Sequence, residues 1–154
     1  MGLQPSLNSS EIFEVVSIFD DSIVKDSSDV EKYKETYEMS HLTLKDDPES
    51  PSVWFTIRAL SKAELGQVMR ETANDLERTL EEVFRRTCMG IRNFRWQNKE
   101  GKIQHLVFKK ESQAGGPKRV TDEVSLIIPH EVRLEMGMLS FTKSALGDGP
   151  RKNS

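Results

Sequence analysis

Cysteine is nearly missing from this chain of 154 residues: Cys88 stands alone, so no disulfide within the chain can form, and a reducing compartment is the natural setting. Long apolar runs are missing too, and no segment has the length of unbroken hydrophobicity needed to span a bilayer. The opening residues, MGLQPSLNSSEIFEVV, have neither a basic start nor an apolar stretch of signal-peptide length, so no export is expected. Met1-Gly2 followed by Ser6 fits the loose myristoylation pattern, but no basic cluster follows to supply a second anchor, and we read the match as chance. The glycine loops that cradle phosphates or dinucleotides are absent, as is the G-x-S-x-G nucleophile elbow. Only three histidines occur, His41, His105 and His130, separated by 64 and 25 residues, with no cysteine pair to complete a zinc set. His130-Glu131 opens like a zincin motif, but Leu134 stands where the second histidine belongs. These absences argue against an enzyme and predict no cofactor and no metal.

What is present is a moderate stock of hydrophobic residues (36%) with 31% charged residues, enough for one modest core inside a well-solvated exterior. The formal net charge of −3 hides a strong segregation. Residues 1–84 carry 8 Lys/Arg against 18 Asp/Glu, whereas residues 85–119 carry 10 against 2. The basic segment either folds over the acidic one or steers an acidic partner or a second copy.

Along the chain, residues 1–10 are polar and unpatterned and are expected to be mobile. Ile12 to Phe19 is rich in β-branched and aromatic residues, which predicts a strand. Val30, Tyr33 and Tyr37 recur at helical spacing, Leu42 and Leu44 alternate as on a strand edge, and Pro48 and Pro51 mark a turn. Val53 to Leu60 reads as the best strand. Ser61-Lys62-Ala63-Glu64 is a capping box, and Leu65, Val68, Met69, Thr72, Leu76, Leu80, Val83, Phe84, Cys88 and Ile91 then keep a three-and-four spacing. That predicts a single amphipathic helix over 61–92, about 45 Å long at 1.5 Å per residue. Phe94 to Trp96 and Ile103 to Phe108 predict a hairpin closed by Gly101. Thr121 caps a short turn, and Pro129 opens a last helix from His130 to about Leu146, after which Gly147-Asp148-Gly149-Pro150 ends order. The expected architecture is a single α+β domain over 11–146, with a disordered tail at 147–154. It is a small antiparallel sheet of 12–19, 53–60 and the 94–108 hairpin, packed on one long amphipathic helix and a C-terminal helix.

Candidate binding residues cluster in the basic, aromatic hairpin. Arg92, Arg95, Lys99, Lys102, Lys109, Lys110, Lys118 and Arg119 surround Phe94, Trp96, His105 and Phe108. Cations beside rings suit single-stranded nucleic acid, although the same aromatics fit an inward, core-filling role and the pI of about 5.7 is low for a nucleic-acid binder. An acidic protein surface is the preferred partner for this region. Met138 and Phe141 on the last helix are further candidates for partner contact. Cys88 lies on the apolar stripe and reads as a buried small hydrophobe, and the methionines at helical spacing read as core filling. Asp46, Asp47 and Glu49 read as a solvated turn, since their spacing misses the calcium-loop pattern.

Two stretches also carry a resemblance. Asp29 to Ser61 combines an acidic-aromatic segment (Tyr33, Thr36, Tyr37), a short strand His41-Leu42-Thr43-Leu44-Lys45, Pro51, and a strand Phe55 to Ser61 running into a capped helix. Ile128 to Leu146 is a Pro-opened helix with a Met136-Gly137 pair where the pattern has Leu-Gly. Together they resemble small proteins of the structural-gene clusters of tailed bacteriophages. The resemblance implies a non-enzymatic morphogenesis protein, either a tail-assembly chaperone or a minor virion component. It implies phage structural or assembly proteins as partners and the host cytoplasm or the virion as location. Self-association and nucleic acid remain further partners to consider, and no membrane is expected.

Overall fold

Three short apolar segments pair into the central sheet of this protein, whose computed structural model describes residues 12–152. The expected mobile segment 1–10, and the last two residues of the expected disordered tail, lie outside the described residues. Strands β1 (Ile12–Val16), β2 (Trp54–Arg58) and β3 (Cys88–Arg92) run antiparallel in the order β1-β2-β3. Alternation places Phe13 and Val15 opposite Ile57 and Phe55 on one face. That face is covered by α3 (Leu76–Thr87) and α5 (His130–Lys152), and Phe84, Met136 and Leu139 from these helices complete the core with Val120, Val124 and Ile128. A second, smaller cluster of Leu60, Val68 and Val83 joins the first helix after β2, α2 (Lys62–Glu71), to α3. The class is α+β, as expected.

At the border of the sheet, α1 (Val30–Thr36) lies against β1. The Tyr33 hydroxyl, fully buried, donates to the Val16 carbonyl at 2.7 Å and accepts from the Val16 N–H at 3.0 Å. Both backbone groups of that residue, which turn away from β2, are thereby satisfied by one side chain.

The long helix expected over 61–92 is instead two helices and a strand. The capping box is present, with Ser61 and Glu64 bonded reciprocally, and α2 then ends at Glu71. Ala73 and Asn74 adopt left-handed backbone angles, φ 53° and 58°, and Asp75 caps α3 by accepting from the Arg78 N–H at 3.0 Å. Asn and Asp favour both conformations through local side-chain bonds, which outcompete helix continuation at this point. The buried Thr72 and Thr79 hydroxyls, 2.6 Å apart, bind the two helices across the break. Leu76, on the expected stripe, is 60% exposed as a result.

The hairpin expected at 94–108 does not join the main sheet. Its place is taken by β3, where a bulge lets Cys88 and Ile91 pair with Ile57 and Phe55 on the core face. Three residues of separation therefore satisfy a strand here as well as a helix. The hairpin itself exists, as β4 (Arg95–Gln97) and β5 (Ile103–His105), but forms a separate two-stranded sheet. Short strands β6 (Lys110–Glu111) and β7 (Arg119–Val120) form another. The first strand and the second are also shorter than the expected 12–19 and 53–60. Thr121 caps α4 (Asp122–Ile127) as expected. The last helix passes the expected stop at Gly147–Pro150 and reaches Lys152.

α3 and α5 meet at Gly137, which is fully within the interface. A Cβ there would lie 2.1 Å from the Leu80 carbonyl oxygen and 2.8 Å from its carbon, so the two backbones touch where only hydrogen fits. Gly137→Ala is expected to cost about 1–3 kcal/mol, since overpacking against rigid backbone outweighs the gain in helix propensity. Gly66→Ala in α2, where the nearest atom is the flexible tip of Arg70 at 3.4 Å, is expected to be stabilising by about 0.5–1 kcal/mol. Urea unfolding of both variants checks the contrast; equal effects would remove the crossing from its central role.

Candidate protein-docking surface

The hairpin is closed by its own side chains. Asn98 Oδ1 accepts from the Glu100 and Lys102 N–H groups, both at 2.9 Å, and Gly101 takes the expected left-handed conformation at φ 84°. Arg95 pairs with His105, Trp96 with Gln104 and Gln97 with Ile103. At the base, the Leu106 N–H donates to the Phe94 carbonyl at 2.8 Å, and Phe94, Leu106 and Phe108 pack against the main core.

Between this hairpin, the turn after β1 and the start of α5 lies a groove of about 660 Å³. Its apolar lining includes Phe19, Val53, Phe94, Trp96, Ile103 and Val132. Phe19 is 54% and Ile103 64% exposed, an unusual state for two large apolar side chains at one depression. Asp21 and Glu131 stand on its rim, and Arg95 reaches across from the hairpin to donate to the Glu49 carbonyl.

Of the expected hairpin cluster, Phe94, Arg95 and Trp96 line this groove, with Lys99 and Lys102 exposed on the adjoining turn. Arg92 belongs to β3, where it stacks 5.6 Å from the Trp54 ring and pairs with Glu14 at 3.4 Å. Lys109 lies on a different depression, shared with Glu82, Arg85 and Arg119. Lys110 is half-buried: its ammonium donates to the Arg86 carbonyl at 2.7 Å, at the C-terminus of α3, and burial brings its pKa down to about 8. Phe141 packs into the smaller cluster and so serves the core, while Met138 remains 42% exposed. Sequence reasoning did not single out Phe19, Asp21 or Glu131. The run Ile18-Phe19-Asp20-Asp21, an aromatic stranded beyond the end of a strand, was the available sign.

Much of the segregated charge is neutralised internally. Arg86, only 4% exposed, is held by Glu71 at 2.6 Å and Glu82 at 2.8 Å, and both guanidinium nitrogens that Arg119 offers reach Glu82 at 2.7 Å. Burial would raise the Glu82 carboxyl, but its bonds to Arg119 and Arg86 bring it below the usual carboxylate range. Arg85 pairs with Asp122 at 2.5 Å and donates to the Val120 carbonyl. The basic segment is thus partly folded over the acidic one, leaving Lys99, Lys102, Lys109 and Lys118 without an ion pair among the described residues.

The three histidines occupy three different elements: His41 a 3₁₀ turn, His105 β5, and His130 the start of α5 between Glu77 at 3.1 Å and Glu81 at 3.0 Å. Among the described residues no group of three or more His, Cys, Asp or Glu is placed to hold a metal. Cys88 is fully buried, and burial pushes its thiol up to about 12, so it behaves as the small hydrophobe expected. No helix among the described residues is long and apolar enough to cross a membrane. No family model, no curated protein and no solved structure matches the chain.

Beside the groove, a carboxylate positions the elements that frame it. Glu135 of α5 accepts from the Ser17 hydroxyl at 2.5 Å, the Ile18 N–H at 2.8 Å and the Tyr37 hydroxyl at 2.8 Å. Among the described residues it has no ion pair. Burial raises its pKa, and these three bonds offset only part of that rise. A carboxyl pKa raised by folding contributes stability that is fully present below the unfolded value of about 4.3 and is lost as pH rises through the folded value. Relative to Glu135→Gln, the natural protein is therefore expected to gain stability as pH falls from neutrality through the raised carboxyl value towards about 4.3. Urea unfolding at a series of pH values measures the difference; parallel curves would contradict it.

Proposed function

We propose that this chain is a non-enzymatic bacteriophage morphogenesis protein that binds a tail or head component through the hairpin and its groove. The observation that carries the binding reading is the pairing of exposed Phe19 and Ile103 with Trp96 around one groove, flanked by unpaired lysines. Large apolar side chains left open at a depression and bordered by charge are the usual anatomy of a protein interface. The morphogenesis reading rests on the resemblance of Asp29–Ser61 and Ile128–Leu146 to phage structural-cluster proteins.

The disposition of those two stretches supports it. Although distant in sequence, they pack on one another: Tyr37 bonds Glu135, the Ser140 hydroxyl donates to the Arg58 carbonyl at 2.7 Å, and the Leu60 N–H donates to the Ser144 hydroxyl at 2.8 Å. Gly137, of the Met-Gly pair, sits at the closest helix contact. The likeness therefore falls on residues that make a common framework, and the hairpin lies outside it.

A nucleic-acid role for the same hairpin is the alternative. Exposed Lys99, Lys102, Lys109 and Lys118 favour it, but Phe94 and Phe108 pack against the core and their faces are committed there. Protein docking accounts for more of the surface.

Purified chain should capture a head or tail protein encoded beside it, and Trp96→Ala combined with Phe19→Ala should weaken capture by about tenfold or more. Failure to bind any such component would remove the reading. Single-stranded DNA binding at low salt, lost as salt rises and abolished by Arg95→Ala with Trp96→Ala, would establish the alternative in its place.

A further inference from the structure

The hairpin is the least supported element of the fold. β4 and β5 have three residues each and pair with no other strand. All of β5 is exposed, and Val107, just beyond it, is 68% exposed. A two-stranded hairpin alone is marginal in water and needs a further strand or an apolar cover. Its base has such cover in the main core; its free end does not.

The chemistry of that free end matches the groove beside it. Lys99 and Lys102 flank exposed Ile103, and neither lysine has an ion pair among the described residues. Asp21 and Glu131, on the groove rim, are exposed and equally without ion pairs among the described residues. The turn thus carries a net positive charge even with Glu100 between its lysines, and the groove, of which Ile103 is one wall, carries a net negative charge from Asp20, Asp21 and Glu131 against Arg95. Within a single molecule the two do not pair. A two-fold rotation brings each projection to the other copy's recess, which is the self-complementarity that an isologous contact requires.

We propose that the hairpin and groove form a homodimer interface, with Ile103 of each copy entering the groove of the other and Lys99 and Lys102 facing Asp21 and Glu131. This rests only on reading the groove as a protein-docking surface, and it takes a second copy of the chain, in place of a head or tail component, as the occupant. The ionic part lies at the rim, so it gives orientation and salt sensitivity, while the apolar part gives most of the affinity.

Sedimentation velocity of the full chain over a range of protein and salt concentrations tests it. The expected result is a dimer that weakens with salt and whose dissociation constant rises about tenfold or more in Ile103→Asp. Lys99→Glu with Lys102→Glu should give a monomer, and so should Asp21→Lys with Glu131→Lys. An equimolar mixture of the two charge-reversed proteins should restore the dimer as a heterodimer. Circular dichroism establishes that each variant is folded; if Ile103→Asp is not, the charge-reversed pair decides. A monomer at every concentration, or a dimer indifferent to all these changes, overturns the proposal. A monomer that still captures a head or tail protein through the groove sinks the dimer and spares the docking reading. A dimer that captures none does the reverse.

Discussion

The backbone contact between α3 and α5 at Gly137 is the constraint from which the rest of the molecule is laid out. With no side chain between Gly137 and the Leu80 carbonyl, the helices approach closely enough for Met136 and Leu139 to reach the sheet side of the interface. The same placement sets every polar contact of α5. Glu135 meets the turn after β1 and the end of α1, Ser140 and Ser144 meet the end of β2, and His130 and Arg133 meet Glu77 and Glu81. One helix therefore ties together the turn after β1, the end of α1, the end of β2 and α3. Its first turn supplies Glu131 and Val132 to the groove itself.

Charge does two different jobs in this protein. Around Glu82 and Arg86 it is buried and paired, and there its worth is geometric: either partner alone would be far costlier than the pair. On the hairpin it is unpaired and solvated, contributing little to folding and much to long-range attraction. The sequence count of acidic and basic residues merges these populations. Arg85, Arg86, Arg119 and Lys110 are structural cations, held by carboxylates or backbone carbonyls in and around α3, whereas Lys99, Lys102, Lys109 and Lys118 are exposed and without an ion pair among the described residues.

The α+β class, the capping box, the hairpin turn, the Thr121 cap and the burial of Cys88 were legible in the sequence, because each rests on local chemistry or simple periodicity. The extent of the long helix was not. Thr72-Ala73-Asn74-Asp75 carried a cap for a new helix, but an apolar spacing that continued across it masked the break. Cys88 and Ile91 kept that spacing only because a β-bulge gives three-residue separation a shared face. Sheet membership was then assigned to the hairpin, whose alternating aromatics face the core from outside the sheet. Phe19 and Asp21 left one sign, the run Ile18-Phe19-Asp20-Asp21, and Glu131 left none. They come together from a turn and a distant helix, and nothing local in the sequence records that meeting.

The Tyr33 hydroxyl, finally, occupies the last rung of β1 as another chain would. A sheet grows when an open border offers alternating donors and acceptors to an incoming segment, and here the rung at Val16 is already taken by a phenol fixed in α1. A protein that exposes apolar side chains for binding must also avoid uncontrolled polymerisation. Tyr33 closes that one rung to an incoming strand by bonds made within the chain.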